Sequence, residues 1–568
     1  MRPILKIGFV TNLNFNTKND RYLETIRYIP LGLLSLIAVL EEKGIKSNLL
    51  DINALLEKKQ IAAGNIMNEI LSCIDDDYNI LGFSTDCSSL QYTLKTAKYY
   101  KLLNKTCTII LGGPQATAVY REILISHQYI DVVVLGEAEL IVSDLIKAIA
   151  DKGKYSRIPG IAYLDVGKLK VNEPAALIDL GKLPMPAFSK IQDIGEMKTI
   201  PLDVGRGCPF NCIFCSTNHY WKRKYRLKPI NKLIDEIKYI NEEYGISRFQ
   251  FNHDIFTLNK NYIETFCKTL IQDKICITWS CSTRLNCIDK ELLTLMNSAG
   301  LCTLFVGIET ASPRLQRVIK KNLALTYLND LIMDTKSLNI ELILSLIIGL
   351  PTETEEETIE TMNLALHYAF RKNASTPVNV LTPFAGSEAY RKFELKFNKS
   401  FHGNEIIDYE SVIQNPKLFS YYYNFACSDC DAEILHHIVS AYSILLNHFR
   451  KTVLGLMNQE RFSAKDLIRF CKVMTNLQNK ATIIKLLETK IENSNSPILA
   501  EIFVFEKSVF EMKSNPEIQQ VTINLFYPVI QNYADKNLFK VHRFPKPQRI
   551  TLTREGPRLI ANYGTRTT

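Results

Sequence analysis

The sequence predicts an α/β protein in which two alternations of strands and helices are followed by a mainly helical region. Short apolar runs alternate with amphipathic stretches over residues 1–150, and a second alternation occupies residues 200–395. Long stretches of helical periodicity dominate residues 396–568. Alternation of this kind favours parallel sheets covered by helices. At 568 residues the chain is also long enough to build more than one core.

Composition excludes several classes of protein. Apolar residues make up 46% of the chain and charged residues 22%, as in ordinary soluble globular proteins. The net charge of +9 is spread along the chain without a basic domain or tail, so no nucleic-acid partner is expected. The longest apolar stretches, Leu31–Leu40 and Leu342–Leu350, are too short for a membrane span. The first residues lack the features of a signal peptide, which predicts a cytoplasmic protein.

The first alternation predicts a parallel sheet wound with helices. Its elements are Ile4–Val10, Leu31–Glu42, Ser47–Asp51, Ile80–Ser84, Leu90–Leu103, Thr108–Leu111 and Val132–Leu135. Small or polar residues follow three of the strands, at Ser84-Thr85, Gly112-Gly113 and Gly136-Glu137. The carboxyl ends of parallel strands meet at one edge of a sheet, where backbone can approach a ligand closely. A ligand site is therefore expected at this edge.

Residues 151–199 are punctuated by proline and glycine, and they predict a strand pair and a connector. The second alternation then predicts six strand and helix units, which is typical of a partial barrel. Its strands are expected near 201–205, 247–251, 277–281, 303–307, 343–348 and 378–381. Beyond residue 395 no regular strands are expected. The predicted helices there are Ala432–Gly455, Ala464–Gln478 and Ala481–Glu492, and roughly the last thirty residues read as extended or irregular.

Three cysteines directly follow the first strand of the second alternation. The segment GRGCPFNCIFC places Cys208, Cys212 and Cys215 at the spacing C-x3-C-x2-C. Thiolates select zinc or iron-sulfur centres, but structural zinc normally takes four protein ligands, and His219 is the sole nearby candidate for a fourth. Three thiolates suit an iron-sulfur cluster with one iron open to another ligand. A zinc knuckle or three buried free cysteines is the alternative.

This segment resembles the signature of the radical SAM superfamily, C-x3-C-x-aromatic-C, with Phe214 as the aromatic residue. Later strand ends also resemble that family, at Phe251–Asp254, Ser282–Arg284, Gly307–Thr310, Gly349–Pro351 and Thr382–Ser387. The resemblance implies that a 4Fe-4S cluster on the three cysteines cleaves S-adenosylmethionine reductively, with an electron donor such as flavodoxin or ferredoxin. It also implies that S-adenosylmethionine is bound by Phe214, Asp254, Arg284, Glu309 and Leu350. Helix caps or surface ion pairs are the alternative roles for Asp254, Arg284 and Glu309.

The first alternation resembles the cobalamin-binding domain that precedes many radical SAM enzymes, through Pro30–Leu33, Leu111–Gln115 and Gly136–Glu139. The resemblance implies cobalamin contacts from Ser84, Thr85, Gly112, Gly113, Gln115, Gly136 and Glu137. The first histidine of the chain is His127, so the D-x-H-x-x-G motif that supplies an axial imidazole cannot exist, and bound cobalamin should be His-off. A Rossmann-like domain that binds another ligand, or none, is the alternative.

Together the resemblances imply a Rossmann-like cobalamin-binding domain (1–150), a connector (151–199), a partial (β/α)6 TIM-type radical SAM barrel (200–395) and a mainly helical, substrate-shaping region (396–568). They imply a cobalamin-dependent methyltransferase that acts on an unactivated carbon or phosphorus of a natural product or peptide. One alternative is an epimerase or cyclase of peptides or metabolites that does not use cobalamin. Another is a non-catalytic cobalamin or iron-sulfur binding module.

Other features carry less information. The basic and aromatic run Trp221–Lys228 either helps to fix an anion or is a solvated segment. Cys427 and Cys430 are too few to hold a further cluster and are more consistent with free thiols than with a redox or metal site. Cys281 is expected in the core, with contact with substrate as the alternative.

Overall fold

The computed structural model describes most of the chain. The described residues are 5–19, 22–57, 59, 61–151, 154–372, 374–397, 409–425, 431–448, 450–458, 460, 462–475, 551–553 and 556–558. They divide into two compact units. The first comprises Met1–Ile308, Gln316–Leu344 and Leu381–Ala426, and the second comprises Glu309–Leu315, Ser345–Val380 and Cys427–Thr568. Among the described helices, none has the length and apolarity needed to cross a bilayer.

The first part of the chain alternates strands and helices. Its strands are β1 (Ile7–Val10), β2 (Phe15–Asn19), β3 (Tyr22–Thr25), β4 (Asn48–Leu50), β5 (Ile61–Ala62), β6 (Ile80–Ser84), β7 (Thr108–Gly112), β8 (Val132–Val134), β9 (Ile161–Asp165) and β10 (Lys168–Val171). Its helices are α1 (Leu31–Glu42), α2 (Ile52–Leu56), α3 (Ile66–Ser72), α4 (Leu90–Leu103), α5 (Pro114–Ser126) and α6 (Val142–Ala150). The predicted bounds of α1, β6 and α4 are confirmed.

Seven of these strands form one sheet, in the order β10-β9-β8-β7-β6-β1-β4. The strands β4, β1, β6, β7 and β8 are parallel to one another. The strands β9 and β10 extend the sheet beyond β8 in antiparallel orientation. If the five parallel strands are numbered by their order in the chain, they lie across the sheet in the order 2-1-3-4-5. The direction in which the chain crosses the sheet therefore reverses between β1 and β6, and doubly wound sheets bind their ligands at such a point. The sheet continues to Val171, beyond residue 150, because the pair expected in the connector completes its edge.

Helices cover both faces of this sheet. On one face α1 and α6 bury Ile37, Leu40 and Leu145 against the strands. On the other face α4 and α5 bury Tyr92 and Ile123. The strands between them, such as β8, are buried on both sides and therefore read as continuous apolar runs in the sequence.

The next part of the chain builds the second sheet. Its strands are β11 (Ile200–Asp203), β12 (Gly205–Arg206), β13 (Arg226–Leu227), β14 (Arg248–Asn252), β15 (Thr278–Thr283), β16 (Leu301–Glu309), β17 (Glu341–Ile348) and β18 (Val378–Val380). Its helices are α7 (Thr217–Tyr220), α8 (Ile230–Tyr244), α9 (Lys260–Gln272), α10 (Lys290–Ser298), α11 (Pro313–Val318), α12 (Leu328–Ser337) and α13 (Glu355–Leu366).

Six strands lie side by side in the order β11-β14-β15-β16-β17-β18, which is also their order in the chain. The register is parallel from β11 to β16 and between β17 and β18. The short pair β12 and β13 is a separate antiparallel ribbon. Trp279 on β15 anchors the packing, since its fully buried ring stacks on Phe251 at 4.9 Å. The predicted α/β class and partial barrel are confirmed.

The remaining described elements are α14 (Glu388–Lys392), β19 (Leu395–Phe397), α15 (Tyr409–Gln414), β20 (Tyr423–Phe425), α16 (Ala432–His448), α17 (Arg450–Asn458), α18 (Ala464–Thr475), β21 (Thr551–Thr553) and β22 (Gly556–Arg558). Helices predominate, as predicted. The expectation of no regular strands after residue 395 is wrong, because β19 pairs with β20. The pair β21 and β22 lies in roughly the last thirty residues, for which the sequence predicts extended or irregular structure. Strands of three residues are too short to show a period of two. Cys427, Cys430 and the predicted helix Ala481–Glu492 lie outside the described residues.

In the second unit the helices pack through specific polar contacts. Tyr442 on α16 donates to the carbonyl oxygen of Thr376 at 3.2 Å. Helix α13 begins with a capping box between Thr354 and Glu357. Burial opposes ionisation of Glu357, but hydrogen bonds led by that from Arg314 lower its pKa to about 2. The capping box and the ion pair with Arg314 fix the direction in which the chain enters the first turn of α13.

Candidate functional site

A cavity of about 850 Å³ lies within the first unit, between loops at the carboxyl ends of the first sheet and residues of β14, β15 and β16 in the second sheet. We call its first side the glycine wall, formed by loops of the first sheet and the start of α1; it comprises Gly32, Ser84, Gly112, Gly113, Gly136 and Glu137. We call the opposite side the polar wall, formed by strand residues of the second sheet and the loop after β14; it comprises Gln250, Asn252, Asp254, Ser280, Ser282 and Thr303.

The glycine wall presents backbone to the cavity. Gly113 has φ +98°, and a Cβ atom added there would lie 2.5 Å from the carbonyl oxygen of Thr85. Gly136 has φ +84°, and no heavy atom lies within 4 Å of an added Cβ atom. Only glycine adopts such conformations without strain. The wall therefore leaves open space beside bare peptide groups.

Five of the seven predicted cobalamin residues line the cavity: Ser84, Gly112, Gly113, Gly136 and Glu137. Thr85 is fully buried beneath the loops, where its hydroxyl donates to Gly112 O at 2.8 Å and accepts from the backbone N–H of Ala116 at 3.0 Å. Gln115 is also buried, and its amide donates to Leu418 O at 3.5 Å. Thr85 and Gln115 therefore hold the wall in shape from behind.

A buried cluster of ion pairs joins the two walls. Arg206 on β12 contacts Glu137 and Glu139 at 2.7 Å each and Asp203 at 2.9 Å. Arg226 on β13 adds two bonds to Glu137, both at 3.0 Å. The side chains of Arg206, Glu137 and Glu139 are at most 7% exposed. Each charge is thus compensated inside the protein, as buried charges require.

Two aromatic residues that the sequence did not single out complete this junction. The Trp221 ring lies 5.7 Å from the guanidinium carbons of both Arg206 and Arg226, and Trp221 also lines the cavity. Tyr220 donates its phenol hydrogen to Gly136 O at 3.2 Å. The segment after the cysteines is therefore tied directly to the glycine wall. No short-range pattern predicts these pairs, because the partners are far apart in the chain.

Cys208, Cys212 and Cys215 lie in the loop between β12 and α7, and all three are half-buried and outside disulfide bonds. Burial raises the pKa of Cys208 to about 12 and also raises the pKa of Cys215. The loop is anchored by hydrogen bonds from Ile213 N to Ile319 O at 3.1 Å and from Ala389 N to Ile213 O at 2.8 Å. Its shape is thus set by backbone contacts with two other segments.

Within the described part of the chain, no group of three or more His, Cys, Asp or Glu side chains is arranged to hold a single metal ion. His219, the candidate for a fourth zinc ligand, lies with its ring against Gly386. A four-iron cluster makes a different demand, because each thiolate binds a separate iron atom.

Arg284 and Asp254 lie next to the cysteine loop. The Arg284 guanidinium stacks over the Phe210 ring at 4.1 Å, and its Nη1 atom lies 4.0 Å from Cys212 Sγ. Asp254 lines the cavity, where its desolvated surroundings raise its pKa to about 6 although a backbone hydrogen bond from Gly207 opposes the shift. A carboxylate and a guanidinium thus stand beside the thiols.

The other predicted S-adenosylmethionine residues are placed as follows. Phe214 is half-buried in the cysteine loop. Glu309 and Leu350 belong to the second unit and are both buried. Glu309 ends β16 with φ +69°, an uncommon conformation for a residue with a side chain. The backbone N–H of Leu350 donates to Glu353 at 2.8 Å.

Two family models match separate parts of the chain. Residues 202–365 match the radical SAM superfamily, and residues 26–146 match the B12 binding domain. The chain belongs to the cobalamin-binding radical SAM enzymes. Its cofactors are therefore a 4Fe-4S cluster, S-adenosylmethionine and cobalamin. Both matches fall on the elements that form the walls of the cavity.

Similar proteins agree with this assignment. An uncharacterized methyltransferase of Pyrococcus horikoshii is 29% identical over 371 residues, which cover 64% of this chain and 77% of the relative. The anaerobic magnesium-protoporphyrin IX monomethyl ester cyclase of Cereibacter sphaeroides is 32% identical over 272 residues, covering 45% of this chain and 44% of the cyclase.

Among solved structures, the radical S-adenosylmethionine methyltransferase TsrM of Kitasatospora setae, with cobalamin and a 4Fe-4S cluster bound, shares the fold. Its TM-score is 0.57 at 13% identity, and the likeness covers 82% of this chain and 99% of that chain. The predicted architecture of this radical SAM enzyme is thereby confirmed.

The residues present fit both resident cofactors. The cysteine loop offers three desolvated thiols beside Arg284, and iron binding would replace their protons. Gly32 and Gly136 offer surfaces where nothing lies within 4 Å of an added Cβ atom. Such bare backbone suits a large planar ligand, because side chains would hold it away from the peptide groups.

Proposed function

We propose that this enzyme cleaves S-adenosylmethionine reductively at a cluster held by Cys208, Cys212 and Cys215. It then methylates an unactivated carbon or phosphorus of a natural product or peptide, with cobalamin bound on the glycine wall. The observation that carries this proposal is the shared cavity, because the glycine wall and residues next to the cysteine loop face the same space. When bound, the cluster supplies the electron for cleavage and cobalamin supplies methyl transfer.

In this proposal the residues of the chain bind and orient the cofactors. The three thiols hold the cluster, and the stacking of Arg284 on Phe210 keeps the cysteine loop in place. Asp254 lines the cavity, and in this proposal its carboxylate accepts hydrogen bonds from the amino group of S-adenosylmethionine. The neighbouring apolar residues Phe251, Cys281 and Phe305 limit water in the cavity.

The polar wall is the best candidate for contact with substrate. Asn252, Ser280 and Thr303 project polar side chains into the cavity from three adjacent strands. Amides and hydroxyls both donate and accept hydrogen bonds, so they can orient an uncharged polar group. A natural product or a peptide supplies such groups.

The test is anaerobic reconstitution with iron, sulfide and hydroxocobalamin, followed by metal analysis of the desalted protein. We expect about four irons and about one cobalamin per chain. With S-adenosylmethionine and a strong chemical reductant, 5'-deoxyadenosine should form. S-adenosylhomocysteine should form only when cobalamin is present, because it reports the methyl donation that cobalamin accepts.

The alternatives give different products. Formation of 5'-deoxyadenosine with iron but no retained cobalamin would contradict methyl transfer and favour an epimerase or cyclase. Absence of 5'-deoxyadenosine despite a full cluster would contradict catalysis altogether and favour a binding module. The cyclase among the relatives makes the first of these alternatives the one to examine closely.

A further inference from the structure

An exposed turn next to the cysteine loop carries three consecutive basic side chains. Lys222, Arg223 and Lys224 connect α7 to β13, and all three are exposed. Within the described part of the chain none of them forms an ion pair with an acidic group, whereas Arg206 and Arg226 nearby both pair with Glu137. The positive charge of this turn therefore faces solvent.

Hydrogen bonds and backbone contacts hold the turn against the cysteine loop. Lys222 and Arg223 adopt left-handed conformations, with φ +52° and +57°. Arg223 donates from Nε and Nη2 to Pro209 O, at 3.1 and 3.0 Å, and Pro209 directly follows Cys208. A Cβ atom on Gly207 would lie 2.1 Å from Lys224 O, so the two segments touch through their backbones. The charges are thus held beside the first cysteine.

Further basic residues surround the same loop. Arg391 is exposed and donates to Gly386 O at 3.1 Å. Gly386 also lies against the ring of His219, so Arg391 and His219 meet at the same glycine. Lys320 and Lys392 share the single carboxylate of Glu388, at 2.7 and 2.5 Å. We call these six residues the basic patch: Lys222, Arg223, Lys224, Lys320, Arg391 and Lys392.

We infer that the basic patch is the docking surface for an acidic one-electron carrier protein that reduces the cluster. The inference rests on the proposed function, because reductive cleavage consumes one electron for each S-adenosylmethionine. The reduced carrier loses that electron and the cluster gains it, so no other co-reactant is needed. Electron transfer requires close approach, and the basic patch is the charged surface attached to the cysteine loop.

Charge complementarity explains why the partner should be acidic. Clustered positive charge attracts a negatively charged protein over about 10 Å at an ionic strength of about 0.1 M, and over a longer range at lower salt, which raises its association rate. It also orients the encounter so that the carrier meets the cysteine loop first. Trp221 faces the cavity while the next three residues face solvent, so an anionic small substrate would not need this surface.

The test uses the reconstituted full-length enzyme with a purified acidic flavodoxin in its reduced form. The variant is Lys222→Gln with Lys224→Gln, which removes two charges but keeps the contact between Arg223 and Pro209. Its matched control is Lys168→Gln with Lys170→Gln, on the exposed face of β10. The rate of flavodoxin oxidation, followed by its absorbance, should fall roughly ten-fold at low salt in the variant only.

Two measurements separate docking from damage to the cluster. With titanium(III) citrate as reductant, the variant should form 5'-deoxyadenosine at the wild-type rate, because a small chelate needs no docking surface. The difference from wild type should shrink in high salt, since screening removes the attraction. Arg391→Gln, which leaves the turn intact, should slow oxidation of flavodoxin in the same direction by a smaller factor.

Unchanged rates of flavodoxin oxidation in the double variant of Lys222 and Lys224 and in Arg391→Gln would overturn the inference. So would an equal loss of 5'-deoxyadenosine formation in these variants with titanium(III) citrate, because the defect would then lie in the cluster. If binding of anionic vesicles or of an oligonucleotide is lost while flavodoxin oxidation is unchanged, the basic patch serves that partner instead. If the wild-type enzyme oxidises flavodoxin but forms no 5'-deoxyadenosine with any reductant, the proposed function fails while docking stands.

Discussion

The two walls of the cavity are built from different parts of the peptide. The glycine wall offers backbone from loops, with glycines in left-handed conformations at Gly113 and Gly136. The polar wall offers side chains such as Asn252 and Ser280 from regular strands. Backbone can approach any flat ligand, whereas side chains discriminate between ligands. The comparison teaches that the wall built from backbone and the wall built from side chains place different demands on the sequence and can vary independently.

Removal of the thiols should give the largest effect. Any of Cys208→Ala, Cys212→Ala and Cys215→Ala should abolish cluster binding and all formation of 5'-deoxyadenosine, because a cluster cannot be held by two thiolates. Cobalamin should still be retained, since none of the three cysteines lines the glycine wall. Iron and cobalt analysis of the reconstituted variants would check this. Loss of both metals together would show that cobalamin binding depends on the cysteine loop.

Breaking the ion pairs between the walls should be nearly as severe. Arg206→Met leaves Glu137, Glu139 and Asp203 with too little positive charge, and should lower the free energy of unfolding by about 3–5 kcal/mol. Denaturant unfolding of the apoprotein measures this change.

The matched control for Arg206→Met is Lys228→Met, which breaks an equally buried pair with Glu236 at 2.7 Å inside the barrel. Both variants should lose stability, but only Arg206→Met should also weaken cobalamin binding. Equal cobalamin affinity in the two would show that the pairs stabilise the fold without aligning the walls.

Changing the polar side of the site should affect one ligand only. Asp254→Asn removes the negative charge that faces the cavity and should weaken S-adenosylmethionine binding roughly ten-fold, as expected for a lost charged hydrogen bond. Equilibrium dialysis of the reconstituted enzyme gives the affinity, and the iron and cobalamin contents should match those of wild type. Unchanged affinity would remove Asp254 from the binding residues.

A substitution in the glycine wall should give the smallest effect. Gly136→Ala adds a methyl group facing open space, and should weaken cobalamin binding a few-fold by holding the ligand off the peptide. Gly167→Ala is its control, because Gly167 also has positive φ and open space but lies in the β9–β10 turn. Both substitutions should lower the free energy of unfolding by about 1 kcal/mol. Titration with cobalamin should distinguish them, because only Gly136→Ala should weaken its binding.

The sequence predicted those parts of the fold whose signals are local. The bounds of α1, β6 and α4 followed from apolar periodicity, and the cysteine loop followed from spacing alone. The β19 and β20 pair did not, because strands of three residues carry no usable period.

The predicted site was incomplete for a related reason. Glu137 lines the cavity, but no pattern in the sequence indicated that its carboxylate also binds Arg206 and Arg226, which lie 69 and 89 residues along the chain. Tyr220 and its bond to Gly136 were missed in the same way. A pattern read along the chain cannot report which distant residues meet. The strand-end glycines were visible because the backbone conformation itself demands them.

The position of Trp221 gives this enzyme an internal optical probe. The chain has two tryptophans, and Trp279 is fully buried in the barrel while Trp221 lines the cavity. A corrin or an iron-sulfur cluster absorbs light at the wavelengths where indole emits, so loading of either should quench Trp221 more strongly than Trp279. Intrinsic fluorescence can therefore follow cofactor loading in real time, and a Trp221→Phe variant should abolish most of that signal.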